Sequence, residues 1–186
     1  MEFRNLTADE IEVRVQSIKQ KKGTPMGAIL LLYKNARCDM KILDETVGAE
    51  NWQREHYDCK GNLFCRVGIR TCLKDNAAVA EWVWKSDCGV ESSTEAQKGE
   101  ASDSFKRACF NWGIGRELYT SPFIWIEANK LEIYDSGRKD KWGNTIFATN
   151  DRFSVEKIII ENGIITALSI WNDTQNGRVF VWNPGK

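Results

Sequence analysis

Ala101-Ser-Asp-Ser-Phe-Lys-Arg-Ala-Cys-Phe-Asn-Trp-Gly113 holds the strongest helical signal in the chain. Ala101, Phe105, Ala108, Cys109 and Trp112 fall at offsets of 0, 4, 7, 8 and 11, one face of a 3.6-residue helix. Ser92 or Ser93 supplies the N-cap and Gly113 the stop, so the pattern predicts a helix over 92–111. Lys106 and Arg107 lie off the apolar face, about 100° apart round the axis. Phe105 and Cys109 anchor the helix while that basic pair points outward, and Lys98 extends the basic track two turns earlier. A phosphate backbone needs donors spaced along its path, which a rigid helix with neighbouring Lys and Arg provides. The competing reading is an ordinary solvated face, with Asp103 neutralising Lys106 at three residues or Arg107 at four.

Upstream of this helix, three stretches read as strands joined by short turns. Trp52 to Asp58 precedes a Lys60-Gly61-Asn62 turn. Leu63 to Leu73 alternates, with Leu63, Cys65, Val67, Ile69 and Thr71 on one side and Phe64, Arg66, Gly68, Arg70 and Cys72 on the other. A turn at Lys74-Asp-Asn76 leads to Ala78–Asp87, where Trp82 and Trp84 share a face opposite Val79, Glu81 and Val83. Short connections favour an antiparallel meander.

Thr7-Ala-Asp-Glu10 has the form of a capping box, predicting a helix that runs to about Ile18. Gly27 to Tyr33 is an apolar run read as a buried strand. Ala36, Met40, Leu43 and Val47 form a helical stripe ended by Gly48, with Arg37 and Lys41 on the opposite side. After Pro122 the chain is β-rich. Val155–Ile160 and Ile164–Trp171 make a hairpin on the Glu161-Asn-Gly163 turn, Arg178–Trp182 adds a strand, and Asp135–Asn144 is expected to be a mobile loop. The fold class expected is α+β, an antiparallel β-meander packed on a long helix with a β-rich C-terminal extension. The expected domains are a core over 1–121 and an extension over 122–186 packed on it.

Composition narrows the function. Lys and Arg number 26 and Asp and Glu 26, so the net charge is zero. A generic charge-driven nucleic-acid binder shows an overall basic excess, so any DNA site here is a local arrangement of cations. No apolar run approaches the roughly 20 residues of a membrane helix, and the N-terminus lacks a signal-peptide pattern, which predicts a cytoplasmic protein with no membrane partner. Six cysteines lack any CxxC pair and His56 is the sole histidine, which argues against zinc and for reduced thiols. Gly113-Ile-Gly115-Arg116 lacks the GK[ST] ending of a phosphate loop. Glu55, His56 and Asp58 lack the spaced carboxylates of a nuclease. The eight tryptophans are many for this length and suit core, subunit contacts or stacking on bases.

The run Lys98 to Gly115 resembles the signature helix of the Rad-fifty-two-type single-strand annealing proteins, and more closely their phage relatives, the Sak group. The resemblance rests on Lys106-Arg107-Ala108 and Trp112-Gly113. It also rests on Val47-Gly48 before Asn51-Trp52, and on Asp87-Cys-Gly89 with Glu91-Ser92. It covers roughly residues 28 to 120. It implies a non-enzymatic, phage- or prophage-encoded protein for recombination or repair. Such a protein binds single-stranded DNA between meander and helix, anneals complementary strands with no nucleotide or other cofactor, and forms rings or helical homo-oligomers. A single-stranded-DNA-binding protein is a further partner on this reading. Lys106 and Arg107 would then contact phosphates. Where eukaryotic members carry a further arginine, this chain has Cys109-Phe110. Arg37 and Lys41 are the nearest matches to a family cation on the preceding helix, and Arg66 and Arg70 share a strand face suited to DNA or to cross-strand ion pairs. The alternatives are a single-strand-coating replication accessory that does not anneal, a metal-dependent recombination nuclease, and a purely structural oligomer.

Overall fold

A computed structural model describes residues 1–73, 76–90 and 96–185. Its strands are β1 (Glu12–Lys21), β2 (Thr24–Tyr33), β3 (Trp52–Cys59), β4 (Asn62–Leu73), β5 (Asn76–Cys88), β6 (Ile124–Glu127), β7 (Tyr134–Lys139), β8 (Thr145–Ala148), β9 (Phe153–Glu161), β10 (Ile164–Asn172) and β11 (Gly177–Trp182). Two α-helices interrupt them among the described residues, α1 (Ala36–Val47) and α2 (Ala96–Trp112).

Strands hold 50% of the residues and helical segments 24%. The expectation of an α+β protein framed by a meander on a long helix, with β-structure as an addition, is therefore overturned. The largest element is a six-stranded sheet in the order β11-β10-β9-β1-β2-β6. Its end strands β6 and β11 also approach each other, so this sheet is nearly closed, in the manner of a barrel. The local pattern missed this because the N-terminal segment that completes the sheet reads as helix.

That segment, 7–18, departs from its expected helix. Glu10 does reach back, accepting from the Thr7 N–H at 3.0 Å, but the helix is a single 3-10 turn, Ala8–Glu10. Beyond it Val13 and Val15 alternate with exposed Arg14 and Gln16, a period of two that suits a strand. β1 folds back on β2 through Lys22-Gly23, both at positive φ, as the two-residue hairpin turn requires. Lys60-Gly61 and Asn162-Gly163 turn the β3–β4 and β9–β10 hairpins in the same way. The mobile loop expected over 135–144 is also corrected: β7 and β8 pair there, and Asp140 closes the tip by accepting from the Trp142 and Asn144 N–H groups, both at 2.9 Å.

The chain forms two compact units that do not follow its linear order. One comprises Thr7–Tyr33 and Glu117–Lys186, and its core is Ala28, Leu30, Ile124, Ile126, Ile165, Leu168 and Ile170, all at most 2% exposed. The other comprises Met1–Leu6 and Lys34–Arg116. It holds α1, α2 and a three-stranded antiparallel sheet, β3-β4-β5. The expected caps Ser92 and Ser93, and Lys74-Asp75 of the second turn, lie outside the described residues.

In α1 the buried residues are Cys38, Asp39, Ile42 and Leu43, rather than the Ala36, Met40, Leu43 and Val47 stripe. The buried face is set by Cys38, Ile42 and Leu43, and it carries Asp39 inside, where Lys34 meets it. Asn35 caps it, its side-chain oxygen accepting from the N–H groups of Arg37 at 2.9 Å and Cys38 at 3.0 Å.

Candidate functional site

The second helix is fixed to the three-stranded sheet by both packing and polar contacts. Phe105, Ala108 and Cys109 are fully buried, as are Cys65, Val67 and Ile69 of β4. Trp52 stacks on Phe105 with ring centroids 6.1 Å apart. Trp112 Nε1 donates to the Val67 carbonyl at 2.9 Å, and a His56 ring nitrogen lies 3.0 Å from the Ala101 carbonyl. The last turn of a helix leaves carbonyls without intrahelical partners, and cations are favourable there. Here Lys85 Nζ donates to the Asn111 carbonyl at 2.9 Å, and Arg116 donates to Phe110 at 2.6 Å and Asn111 at 2.8 Å. Lys85 also lies over the Trp112 ring, 4.5 Å from its centroid.

On this anchored helix Lys106 and Arg107 are half-buried. Arg107 Nε meets Asp87 Oδ1 of β5 at 3.3 Å. Asp103 has a different task, accepting from the Val90 N–H at 3.1 Å. Lys106 makes no hydrogen bond or ion pair within 4 Å among the described residues, but its charge reaches Asp39 and favours the ionised carboxylate. Lys98 is exposed on the first turn of α2. On α1, Arg37 is exposed, and Lys41 is exposed with its Nζ 3.8 Å from Glu45 Oε1.

Arg66 and Arg70 stand on the other side of the sheet. Successive strand residues point to opposite faces, and Cys65, Val67 and Ile69 take the face toward the helices. The register fills the outer face with Gln53, Glu55 and Tyr57 of β3, Phe64, Arg66, Gly68 and Arg70 of β4, and Trp82, Trp84 and Ser86 of β5. Arg66 donates to Glu55 Oε2 at 3.0 and 2.6 Å, and its guanidinium lies 4.7 Å from the Trp84 ring centroid. Trp82 and Trp84 have centroids 6.2 Å apart, and Tyr57 stacks on Phe64 at 5.6 Å. Trp84 occupies the space above Gly68, where an added Cβ would come within 2.8 Å of the indole. Arg70 pairs across the ladder with Trp82, and both are exposed. The sequence placed Trp82 with Trp84 and Arg66 with Arg70. Only the β4–β5 register joins the two sets.

A buried ion pair lies beneath α1 and α2. Lys34 Nζ bonds Asp39 Oδ1, with both side chains at most 1% exposed. The Lys34 ammonium also sits 4.2 Å from the centroid of Phe110, and its stem lies where a Gly115 Cβ would be. Burial pushes the Asp39 carboxyl up to about 6, against the opposing pull of Lys34 and, more weakly, Lys106. Among the described residues Asp39 Oδ2 is buried with no hydrogen-bond partner. Sequence reasoning passed over Lys34, whose only signal was a lysine placed between an apolar strand and a helix cap. Burial also raises the thiols of Cys65, to about 11, and of Cys109, so these side chains behave as neutral, apolar groups. No group of three or more His, Cys, Asp or Glu among the described residues is placed to hold a metal ion. No helix among them is long and apolar enough to cross a membrane.

Comparison with known proteins gives one family. Residues 3–133 match the model of the Rad52/22 family double-strand break repair protein. No curated protein and no solved structure matches the chain.

Proposed function

The chain belongs to the Rad52/22 family of double-strand break repair proteins, and we propose that it binds single-stranded DNA and anneals complementary strands, without nucleotide and without catalysing a covalent step. The family places it in DNA repair and recombination. The observation that carries the finer reading is the pair Lys106 and Arg107 on a helix whose neighbouring positions Phe105, Ala108 and Cys109 are fully buried. Such a helix holds its cations at a fixed spacing, so phosphate contacts cost little ordering entropy on binding. Lys98, with Arg37 and Lys41 on α1, would extend the same cationic region. Contacts to phosphates position a strand without reading its bases, as annealing of arbitrary sequences requires.

We infer a homo-oligomer. In the three-stranded sheet β3 and β5 are edge strands, and exposed ladder edges invite pairing with another chain. A phage-encoded protein of the Sak kind, working beside a single-stranded-DNA-binding protein, remains the reading favoured by the run Lys98–Gly115. The test is annealing of complementary fluorescent oligonucleotides without ATP or Mg²⁺, with light scattering on the same samples. Rapid annealing by an assembly larger than the 21.3 kDa chain is expected. Binding without annealing would leave a strand-coating protein, and cleavage on adding metal would make it a nuclease.

A further inference from the structure

We propose that the outer face of the β3-β4-β5 sheet is a stacking platform for unpaired bases, with Trp82 and Trp84 receiving the bases and Arg70 and Arg66 meeting the phosphates beside them. This rests on the DNA-binding reading above and adds to it a surface on the opposite side of β4 from Lys106 and Arg107.

Four observations carry it. Trp82 stays 39% exposed in the middle of a strand, where an indole would ordinarily find cover. The register alternates ring and cation: Trp82 faces Arg70 across the ladder, Trp84 faces Gly68, and Arg66 reaches over Trp84 at 4.7 Å. Gly68 itself contributes the space in which the Trp84 ring lies over β4, since a Cβ there would collide with it at 2.8 Å. The Tyr57–Phe64 stack continues the aromatic surface beyond Arg66.

The charge of this face selects the occupant. Arg66 and Arg70 stand against Glu55, the one acidic residue of the outer face among the described residues, so the patch is cationic on a chain of zero net charge. Aromatic rings interleaved with arginines are the combination that single strands use, because every base has a π-face and every nucleotide a phosphate. A second copy of this chain, also neutral overall, has no comparable reason to seek a cationic face.

The experiment measures affinity of the full chain for two fluorescent strands of equal length, oligodeoxythymidylate and an abasic deoxyribose-phosphate strand. The wild-type protein should prefer the thymidylate strand. Trp82→Ala and Trp84→Ala should each weaken it by about fivefold or more, leave the abasic strand unchanged, and so close the gap. The double variant Lys106→Ala with Arg107→Ala should weaken both strands alike. Photocrosslinking of a 5-iodouracil strand to the wild-type protein should mark Trp82 or Trp84, a result independent of how the variants fold. Crosslinks elsewhere, or folded tryptophan variants that keep the preference or lose both strands equally, overturn the platform. Tryptophan variants that keep the preference but break the oligomer overturn it in favour of a subunit contact. A wild-type protein that binds neither strand overturns the DNA-binding reading itself.

Discussion

Replacing Lys34 by methionine should destabilise the protein by about 1–1.5 kcal/mol at pH 7, because Asp39, left without its cation, takes up a proton instead of staying charged. Lys34 and Asp39 are both essentially inaccessible to water, and Asp39 Oδ2 already lacks a partner among the described residues. The carboxyl is raised from 3.8 to about 6 even with Lys34 beside it, chiefly by burial. At about 1.36 kcal/mol per pH unit, holding that carboxylate ionised in the folded protein costs roughly 3 kcal/mol relative to the unfolded chain. The sign follows from the direction. The folded state binds the Asp39 proton more tightly than the unfolded state, so this group's contribution is complete below pH 3.8 and lost as pH rises through about 6. Lys34→Met should therefore be most damaging at pH 7 and less so at pH 4, where Asp39 is protonated. Adding Asp39→Leu should recover most of the loss, since an apolar pair can replace a buried ion pair at little cost. Urea unfolding at pH 7 and pH 4 measures all three proteins. A Lys34→Met variant as stable as the wild type at pH 7, or a double variant no more stable than the single, would refute the reasoning.

The double variant Lys106→Ala with Arg107→Ala should keep its urea midpoint nearly unchanged, yet lower single-strand affinity similarly for all sequences. Its salt dependence should flatten by about 0.7 in log–log slope per lost phosphate contact; unchanged slopes would move the contacts to other cations. Trp112→Phe keeps a ring beneath Lys85 but removes the 2.9 Å hydrogen bond to the Val67 carbonyl, so a loss of about 1 kcal/mol is expected in chemical unfolding. Asp140 is held below its ordinary range, first by its hydrogen bond from the Asn144 side chain. Asp140→Ala should open the β7–β8 tip and speed proteolytic cleavage near Lys141, and acidification of the wild-type protein should do the same as this carboxylate protonates.

The amino-acid order determined those elements whose signal is local. The stripe from Ala101 to Trp112 marks α2 because one helical face must be apolar to bury, and its terminal Gly113 adopts a φ of 107°. Leu63–Leu73 alternates because only one face of β4 meets the helices, and Asn162-Gly163 marks the β9–β10 hairpin because its turn needs two residues at positive φ. The cations Lys106 and Arg107 were visible for the same local reason, lying off an apolar stripe. Tertiary structure alone decided the rest. Glu10 does reach back to Thr7, but β1 is a strand because pairing with β2 and β9 outweighs one turn of helical preference. Asp39 faces inward because it shares the helix face of Cys38, Ile42 and Leu43, and Lys34 meets it there. Asp87 rather than Asp103 holds Arg107, and Arg70 lies beside Trp82, because the register of β4 on β5 puts them there. Helical and strand periodicities are written in neighbouring residues, whereas strand partners and cross-element ion pairs depend on distances the chain closes only once it has folded.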